Sequence, residues 1–243
     1  MHKSIIFFID FHENSGLGHL NRCLKLKKIF KIKDVTFVTQ TKINLPYIKC
    51  VNNTFDKFIK NNKKKYDLAV FDSYDQNYKN QKKFSKFVSK IIVIDDLCKN
   101  KFYCDYLINY NPYIKEINYK NKISKKTLLL MGINYNFILN NESKIKLNYS
   151  NKNNIFIYFG KKNRSSIIKK ILISLKNLKK SINEINIVSN YPVRSNEFPN
   201  LKILKINKNI NIKRLINKSE ICIISAGIIL YEAINQKKII FSK

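Results

Sequence analysis

The sequence is poor in several residue types that define particular classes of protein. Its 243 residues include no Trp, five Gly, four Pro, three His and 16 acidic residues. No apolar run reaches the roughly 18–20 residues of a transmembrane helix, and the apolar stretch at residues 5–9 is only strand-length before it meets Asp10. Neither a membrane span nor a secretion signal is therefore predicted. An apolar content of 44% argues against disorder.

Metal-binding patterns are also missing. The five Cys, at positions 23, 50, 98, 104 and 222, include no C-x-x-C pair of the kind that zinc and redox centres use. The carboxylates of Asp72 and Asp75, like those of Asp95 and Asp96, have neither a His nor a third carboxylate at metal-ligand spacing, so we expect structural hydrogen bonds there. The sequence thus predicts reduced thiols, a cytoplasmic protein, no metal and no cofactor.

The few acidic residues are outnumbered by 47 basic ones, which gives a formal net charge of +31. Of the basic residues 43 are Lys and four are Arg, and the Lys are spread through every segment. Nucleic-acid surfaces favour Arg and concentrate their charge on one face, whereas Lys, Asn and Ile all have A/T-rich codons. We therefore interpret the charge chiefly as genome bias and do not expect a nucleic-acid partner. The positive field should still attract an anionic substrate.

Apolar runs of strand length alternate with stretches of helical period along most of the chain. The predicted strands are residues 5–10, 35–39, 68–72, 91–95, 107–109, 128–130, 155–159, 185–189, 201–206, 221–225 and 238–241. Strands that are apolar on both faces and alternate with helices predict parallel α/β sheets. The polar segment 140–154 is the best linker, so we predict two Rossmann-like domains, residues 1–145 and 146–243, with a ligand cleft between them.

The first candidate site is a small-residue loop that follows the first strand and opens a helix. Gly16 and Gly18 allow a tight turn and the close approach of a ligand, and a helix start presents N–H groups that favour anions. His19 then lies at the carboxyl end of a strand, where a neutral imidazole can accept a proton. The alternative is an ordinary Gly turn with a His cap, because the dinucleotide fingerprint G-x-G-x-x-G lacks its third Gly here.

The second candidate site has the same design near the end of the chain. Ser225, Ala226 and Gly227 follow a strand and open a helix whose first N–H groups could hold a diphosphate. Glu232, one to two turns into that helix, could accept hydrogen bonds from ribose hydroxyls. The alternative is a plain strand-to-helix turn with a surface carboxylate. A third loop, at Gly160 and the two Lys that follow it, is a weaker phosphate signal.

Motifs in a fixed order run over nearly the whole chain. They are G-x-G-H-x-x-R-C-L at residues 16–24, D-x-Y at 72–74, I-D-D-L at 94–97, C-D-x-L-I-N at 104–109, the set Gly132, Tyr135 and Leu139, and S-A-G with Y-E at 225–232. In this order they resemble the family of UDP-2,4-diacetamido-2,4,6-trideoxy-β-L-altropyranose hydrolases of pseudaminic (nonulosonic) acid synthesis. A series of motifs in the right order is far more specific than any one of them.

The resemblance implies a two-domain, GT-B-like fold, related to the glucosaminyl transferase that makes peptidoglycan lipid intermediates. It also implies an enzyme that releases UDP from its sugar by attack of water at the anomeric carbon, without a metal. In this scheme His19 accepts the proton of the water and Tyr74 helps to position the sugar. The residues then expected to bind the substrate are Gly16, Gly18, Arg22, Asp72, Gly160, Ser225, Ala226, Gly227, Tyr231 and Glu232.

The sequence departs from the family pattern at several positions. Phe8 stands where the family usually has Arg, and the phosphate loop G-G-(S/T)-D is reduced to residues 160–163, G-K-K-N. The lost second Gly restricts backbone approach, although Lys can supply charge instead. The family's R-P-E-F reads N-N-E-S at residues 140–143. The sequence ends just after a predicted strand where relatives continue, so the second domain is expected to be short.

Two other functions fit the same residues. A glycosyltransferase on this fold would use an acceptor hydroxyl in place of water, and it would release UDP only when an acceptor is present. A non-catalytic protein that binds nucleotide sugars or polyanions would instead show salt-sensitive binding without turnover.

Overall fold

The computed structural model describes residues 4–11, 18–41, 49–75, 77–136, 153–160, 164–193, 198–205 and 210–242. The chain divides into two compact units, Met1–Phe137 and Ile138–Lys243. Most of the predicted linker at 140–154 lies outside the described residues. No helix in the described part of the chain is both long enough and apolar enough to cross a membrane.

The first unit is built on a parallel sheet of seven strands in the order β3-β2-β1-β4-β5-β6-β7. The strands are β1 (Ser4–Ile9), β2 (Asp34–Thr39), β3 (Lys49–Asn52), β4 (Tyr66–Asp72), β5 (Val88–Ile94), β6 (Tyr106–Asn109) and β7 (Leu128–Met131). The strand order reverses between β1 and β4, which makes this pair the topological switch point of a doubly wound sheet.

Three α-helices accompany these strands: α1 (Gly18–Phe30), α2 (Phe55–Asn61) and α3 (Tyr78–Phe84). The six residues of β1 are all buried, as expected for a central strand covered on both faces. On one face, the ring of Phe8 stacks on that of Phe71 at 4.6 Å between centroids and meets Phe55 and Phe84 of the helices edge-on. This aromatic cluster holds α2 and α3 on the sheet and thereby fixes the carboxyl ends of β1 and β4.

The second unit contains a parallel sheet of five strands in the order β10-β9-β8-β11-β12. Its strands are β8 (Asn154–Tyr158), β9 (Glu184–Val188), β10 (Leu201–Leu204), β11 (Ile221–Ile224) and β12 (Ile239–Ser242), and its helices are α4 (Ser165–Leu175), α5 (Ile212–Asn217) and α6 (Ile228–Asn235). Ile155 and Ile157 pack with α4 in one core cluster, and Phe156 packs on the other face with Ile216 and Ala233. The switch point of this sheet lies between β8 and β11.

Every strand that the sequence predicts is present, with ends that differ by at most three residues. The predicted α/β class with two parallel sheets is therefore confirmed. Three elements of the first unit were not predicted: the edge strand β3 and the short helices α2 and α3. Each is seven residues or shorter, and none has a long apolar period.

Candidate functional site

The predicted residues of the first unit meet at the carboxyl edge of its sheet, at the switch point. His19 is the second residue of α1, Asp72 is the last residue of β4, and Tyr74 follows two positions later. This edge is where doubly wound sheets bind their ligands. Gly18 opens α1 and is exposed, whereas Gly16 lies outside the described residues.

The imidazole of His19 is oriented by the carboxylate of Asp72. Its Nδ1 lies 2.7 Å from Asp72 Oδ1 and 3.1 Å from the backbone oxygen of Asp72, both of which are acceptors. We therefore assign the proton to Nδ1, which leaves Nε2 with a lone pair. No hydrogen bond to Nε2 is formed within the described part of the chain. Arg22 Nη2 also lies 2.9 Å from His19 Nδ1. Because this guanidinium group donates to Asp72, it does not need an acceptor on the imidazole ring.

Asp72 is fully buried and forms a bidentate ion pair with Arg22. Arg22 Nε donates to Asp72 Oδ2 at 2.5 Å, and Arg22 Nη2 makes a short hydrogen bond to Asp72 Oδ1. The Cys23 thiol donates to Asp72 Oδ2 at 3.4 Å. Both charged side chains are removed from solvent, with 4% of Arg22 and none of Asp72 exposed. A buried charge pair of this kind persists only when its hydrogen bonds are satisfied, as they are here.

In this ion pair the charge of each residue shifts the pKa of the other. Burial by itself would raise the pKa of the Asp72 carboxyl, but the charge of Arg22 and the hydrogen bonds from His19 and Arg22 outweigh it and lower that pKa. Burial would lower the pKa of Arg22, and the Asp72 carboxylate reverses this and raises it. The pKa of the neighbouring Cys23 thiol is raised by burial and by Asp72. The thiol is thus a neutral packing group, and the carboxylate stays ionised to orient His19.

The lowered pKa of Asp72 makes stability depend on pH. Because the folded state holds the pKa of this carboxyl below its ordinary value of 3.8, its stabilisation is complete above about pH 5 and is lost as the pH falls through the folded pKa. We expect the difference in unfolding free energy between the native protein and Asp72→Asn to be constant near neutrality and to shrink on acidification. Urea titrations at several pH values measure it. A difference unchanged down to about pH 2 would contradict the ionised assignment.

Tyr74 is held beside His19 by two carboxylates. Its backbone N–H donates to Asp10 Oδ2 at 2.6 Å, and the hydroxyl of Ser73 donates to the other oxygen of Asp10. The Tyr74 hydroxyl donates to Asp96, at 3.0 and 3.2 Å from its two oxygens. The ring stands edge-on to the His19 imidazole, with centroids 4.8 Å apart, and 46% of the residue is exposed. The phenol is therefore fixed in direction and open to solvent.

The turn that carries Asp96 is built by its buried neighbour Asp95. The carboxylate of Asp95 accepts hydrogen bonds from the backbone N–H of Leu97 and of Cys98, at 3.2 and 2.9 Å. It also accepts one at 2.6 Å from the hydroxyl of Tyr119. Asp95 thus makes the structural hydrogen bonds predicted from the sequence, and these place Asp96 towards Arg22, whose Nη1 donates to Asp96 Oδ2 at 3.1 Å.

Two predicted substrate-binding residues of the first unit do not present their side chains to solvent. Arg22 and Asp72 are buried and saturated by each other, by His19 and by the hydroxyl of Tyr110, which accepts from Arg22 Nη1 at 2.7 Å. Their side chains therefore lie beneath the surface of the site, and their contact with a substrate stays a prediction. The burial is tolerated because hydrogen bonds between the carboxylate and the guanidinium replace those lost to water.

Three residues that complete this cluster, Asp10, Asp96 and Tyr110, were not predicted as site residues. Asp10 and Tyr110 directly follow buried strands of the parallel sheet, and Asp96 follows one residue later. Their common signal is a polar side chain just past the carboxyl end of an apolar strand. Applied to every strand, that rule would have found them.

The predicted phosphate-binding loops of the second unit lie at the switch point of its sheet, after β8 and β11. Gly160 follows β8 with φ of 78°, and Gly227 follows β11 with φ of 136°, both in the region that favours glycine. Ala226 and Gly227 are exposed, Ser225 is partly exposed, and α6 begins directly after them. The first N–H groups of a helix lack partners within it and attract anions. Residues 161–163 of the Gly160 loop lie outside the described residues.

The two predicted side chains on α6 differ in exposure. Glu232 is partly exposed, whereas Tyr231 is only 8% exposed. The Tyr231 side chain is thus mostly buried, and its contact with substrate stays a prediction.

A cavity of about 460 Å³ lies elsewhere in the first unit. Cys104 and Ser124, which precede β6 and β7, are among its lining residues, so it opens at the amino edge of the sheet. None of the predicted site residues lines it. We base the candidate site on the carboxyl edge, where the polar side chains converge. Among the described residues, no group of three or more His, Cys, Asp or Glu is arranged to hold a metal ion.

Comparison with known proteins confirms the resemblance inferred from the motifs. No protein-family model matches the chain. A curated relative, the UDP-2,4-diacetamido-2,4,6-trideoxy-β-L-altropyranose hydrolase of Campylobacter jejuni, is 28% identical over 251 residues, which cover 95% of this chain and 87% of the relative.

Solved structures confirm the GT-B-like fold. MurG of Acinetobacter baumannii has a TM-score of 0.55 at 9% identity, covering 98% of this chain and 85% of its own. S. aureus MnaA, solved with UDP, has a TM-score of 0.56 at 12% identity, covering 99% and 79%. TcCGT1 in complex with UDP has a TM-score of 0.59 at 8% identity, covering 99% and 81%. At such identities these similarities establish the fold alone.

Proposed function

We propose that the protein is a UDP-sugar hydrolase that releases UDP from UDP-2,4-diacetamido-2,4,6-trideoxy-β-L-altropyranose, in pseudaminic acid synthesis. The observation that carries the proposal is the His19–Asp72 pair, with an unpaired Nε2 at the switch point of a chain similar to such a hydrolase over 95% of its length. The five free Cys agree with a reducing compartment, and we place the reaction in the cytoplasm.

In the proposed reaction His19 acts as general base. Nε2 takes a proton from a water molecule whose oxygen forms a bond to the anomeric carbon. The bond between that carbon and the β-phosphate oxygen breaks, and UDP leaves with the electron pair. Asp72 holds the ring through Nδ1–H and stabilises the imidazolium that forms, as a carboxylate does for His in hydrolase triads. Positioned proton transfer of this kind contributes about 10²–10⁴-fold to rate.

The neighbouring residues have separate roles in this proposal. Arg22 keeps Asp72 ionised and fixed, so both are positioning residues. Tyr74, exposed beside His19, contacts the sugar. Gly18, exposed at the start of α1, would let the substrate approach the backbone near His19, and Gly16 is proposed to bind the substrate with it.

For the second unit we propose nucleotide binding at its own switch point. The backbone of Ser225, Ala226 and Gly227, with the start of α6, would hold the diphosphate, and Glu232 would accept from the ribose hydroxyls. Gly160 would allow the phosphate to approach the neighbouring loop. The exposure of Ala226 and Gly227 and the positive φ of both glycines support this assignment.

We also propose that the reaction needs no metal. Backbone N–H groups and the strong positive charge of the chain can neutralise the leaving diphosphate. Treatment with EDTA should leave the rate of UDP release unchanged. Loss of activity that Mg²⁺ or Mn²⁺ restores would overturn this part of the proposal.

The deciding experiment is turnover of the named UDP-sugar in ¹⁸O-labelled water. Attack at the anomeric carbon puts the label in the free sugar and leaves UDP unlabelled, which mass spectrometry distinguishes from attack at phosphorus. UDP-N-acetylglucosamine serves as the control substrate and should be turned over far more slowly. UDP release that requires an added acceptor, with sugar transfer to it, would identify a glycosyltransferase instead.

A further inference from the structure

We propose that Asp96 is a positioning residue that fixes the Tyr74 hydroxyl as a hydrogen-bond acceptor towards the substrate, so that the site selects a sugar with an N–H donor at this point. The inference rests on the proposed function and adds a determinant of specificity to it. The two acetamido groups of the proposed substrate each carry such an N–H.

The direction of the Tyr74 proton follows from its partner. Both oxygens of Asp96 lie within 3.2 Å of the phenol oxygen, and an ionised carboxylate can only accept. Arg22 Nη1 donates to Asp96 Oδ2 at 3.1 Å, so this oxygen serves as an acceptor towards Arg22 as well. The phenol proton is therefore committed to Asp96, and the lone pairs of the oxygen remain for a ligand.

The phenol also keeps its proton. Burial, then the charge of Asp96 and the hydrogen bond to it, raise the pKa of Tyr74. Since Tyr74 stays neutral, its oxygen offers substrate a dipole with lone pairs rather than a negative charge. This suits an amide N–H and disfavours a group that can only accept.

The geometry limits other orientations of the ring. The backbone N–H of Tyr74 is tied to Asp10, and the ring edge rests against His19. The hydroxyl is thus held on one side by its hydrogen bond to Asp96. Because the ring is 46% exposed, a sugar positioned for attack by a water near His19 can reach its oxygen.

Asp96→Asn should reverse the direction of this hydrogen bond. Arg22 requires an acceptor, so the Asn amide oxygen would turn to Arg22 and its NH₂ group would donate to the Tyr74 oxygen. The phenol proton would then point at the substrate donor. We expect KM to rise about tenfold or more, the scale of a lost hydrogen bond with a donor left unpaired, with a smaller change in kcat. Asp34→Asn, at an exposed ion pair with Lys64, is the matched control and should change neither constant.

Two further measurements separate this inference from the proposed function. In ¹³Cζ-tyrosine NMR, with the Tyr74 signal assigned by Tyr74→Phe, Asp96→Asn should ionise Tyr74 at lower pH than the native protein. A UDP-sugar analogue with N-methylated acetamido groups should raise KM in the native protein and have little effect in Asp96→Asn. An unchanged Tyr74 titration, or equal responses of both proteins to the analogue, would overturn the inference. If neither protein released UDP, the proposed function would fail, and the titration would still test whether Asp96 acts on the Tyr74 hydroxyl.

Discussion

Replacement of His19 by Asn should lower the rate of UDP release by about 10²–10⁴-fold while the affinity for UDP is retained. The Asn amide can still donate to Asp72 from the place of Nδ1, so the buried pair keeps its partner. What is lost is Nε2, the group proposed to take the proton from water. Steady-state UDP release and calorimetric binding of UDP measure the two quantities.

His19→Phe provides the comparison, because it removes both ring nitrogens. It should be as inactive as His19→Asn and also less stable to urea, since Asp72 loses one donor. Turnover at the native rate in His19→Asn would show that another group accepts the proton. If UDP affinity and turnover were lost equally, the variant would be misfolded. The urea unfolding transition would show this.

Replacement of Asp72 by Ala should reduce the free energy of unfolding by about 3–5 kcal/mol, because it removes the fully buried carboxylate that pairs with Arg22 and leaves this guanidinium only the partly exposed Asp96. Urea or thermal unfolding measures the loss. The matched control is Asp34→Ala, whose ion pair with Lys64 lies at the surface with side chains 50% and 44% exposed. Removing that carboxylate should cost less than about 1 kcal/mol.

A double variant, Arg22→Met with Asp72→Leu, tests whether the cost comes from the uncompensated charge. Both charges are then absent, and apolar side chains of similar length can pack in their place, so much of the lost stability should return. The double variant should nevertheless stay inactive, because His19 has no carboxylate to orient it. A double variant no more stable than Asp72→Ala would show that packing, and not charge, dominates at this position.

The candidate site was only partly predictable because its partners are far apart in sequence. His19 was predicted from the small-residue loop after the first strand, and Tyr74 only from the resemblance to the hydrolase family. Asp72 lies 53 positions from His19, and Asp96 lies 74 positions from Arg22. Local patterns carry no information on such pairings, so the sequence did not show that Arg22 and Asp72 are buried and paired with each other.

The secondary structure, like the candidate site, could be predicted from the sequence only in part. β1 is apolar from Ile5 to Ile9 and was predicted as a strand, whereas β3, K-C-V-N, and α3, Y-K-N-Q-K-K-F, have patterns common to loops in this Lys-rich chain. α3 is stabilised by its cap, where Asn77 accepts from the N–H groups of Lys79 and Asn80, and by Phe84 in the aromatic cluster. The cluster includes Phe8 of β1 and Phe71 of β4, so it depends on the pairing of these two strands.

By itself the sequence determined the α/β class, the described strands other than β3, the start of the helix that carries His19 and a resemblance to UDP-sugar hydrolases, because apolar periodicity and motif order are local properties of the chain. Because Gly, His and carboxylate residues are scarce in this sequence, each of them was informative about function. The abundant Lys residues were not. The tertiary structure alone decided which nitrogen of His19 is unpaired, that Asp72 and Arg22 lie in the interior and that Asp96 directs the Tyr74 hydroxyl. These are consequences of strand order: placing β1 beside β4 and β4 beside β5 brings three distant strand ends to one edge of the sheet.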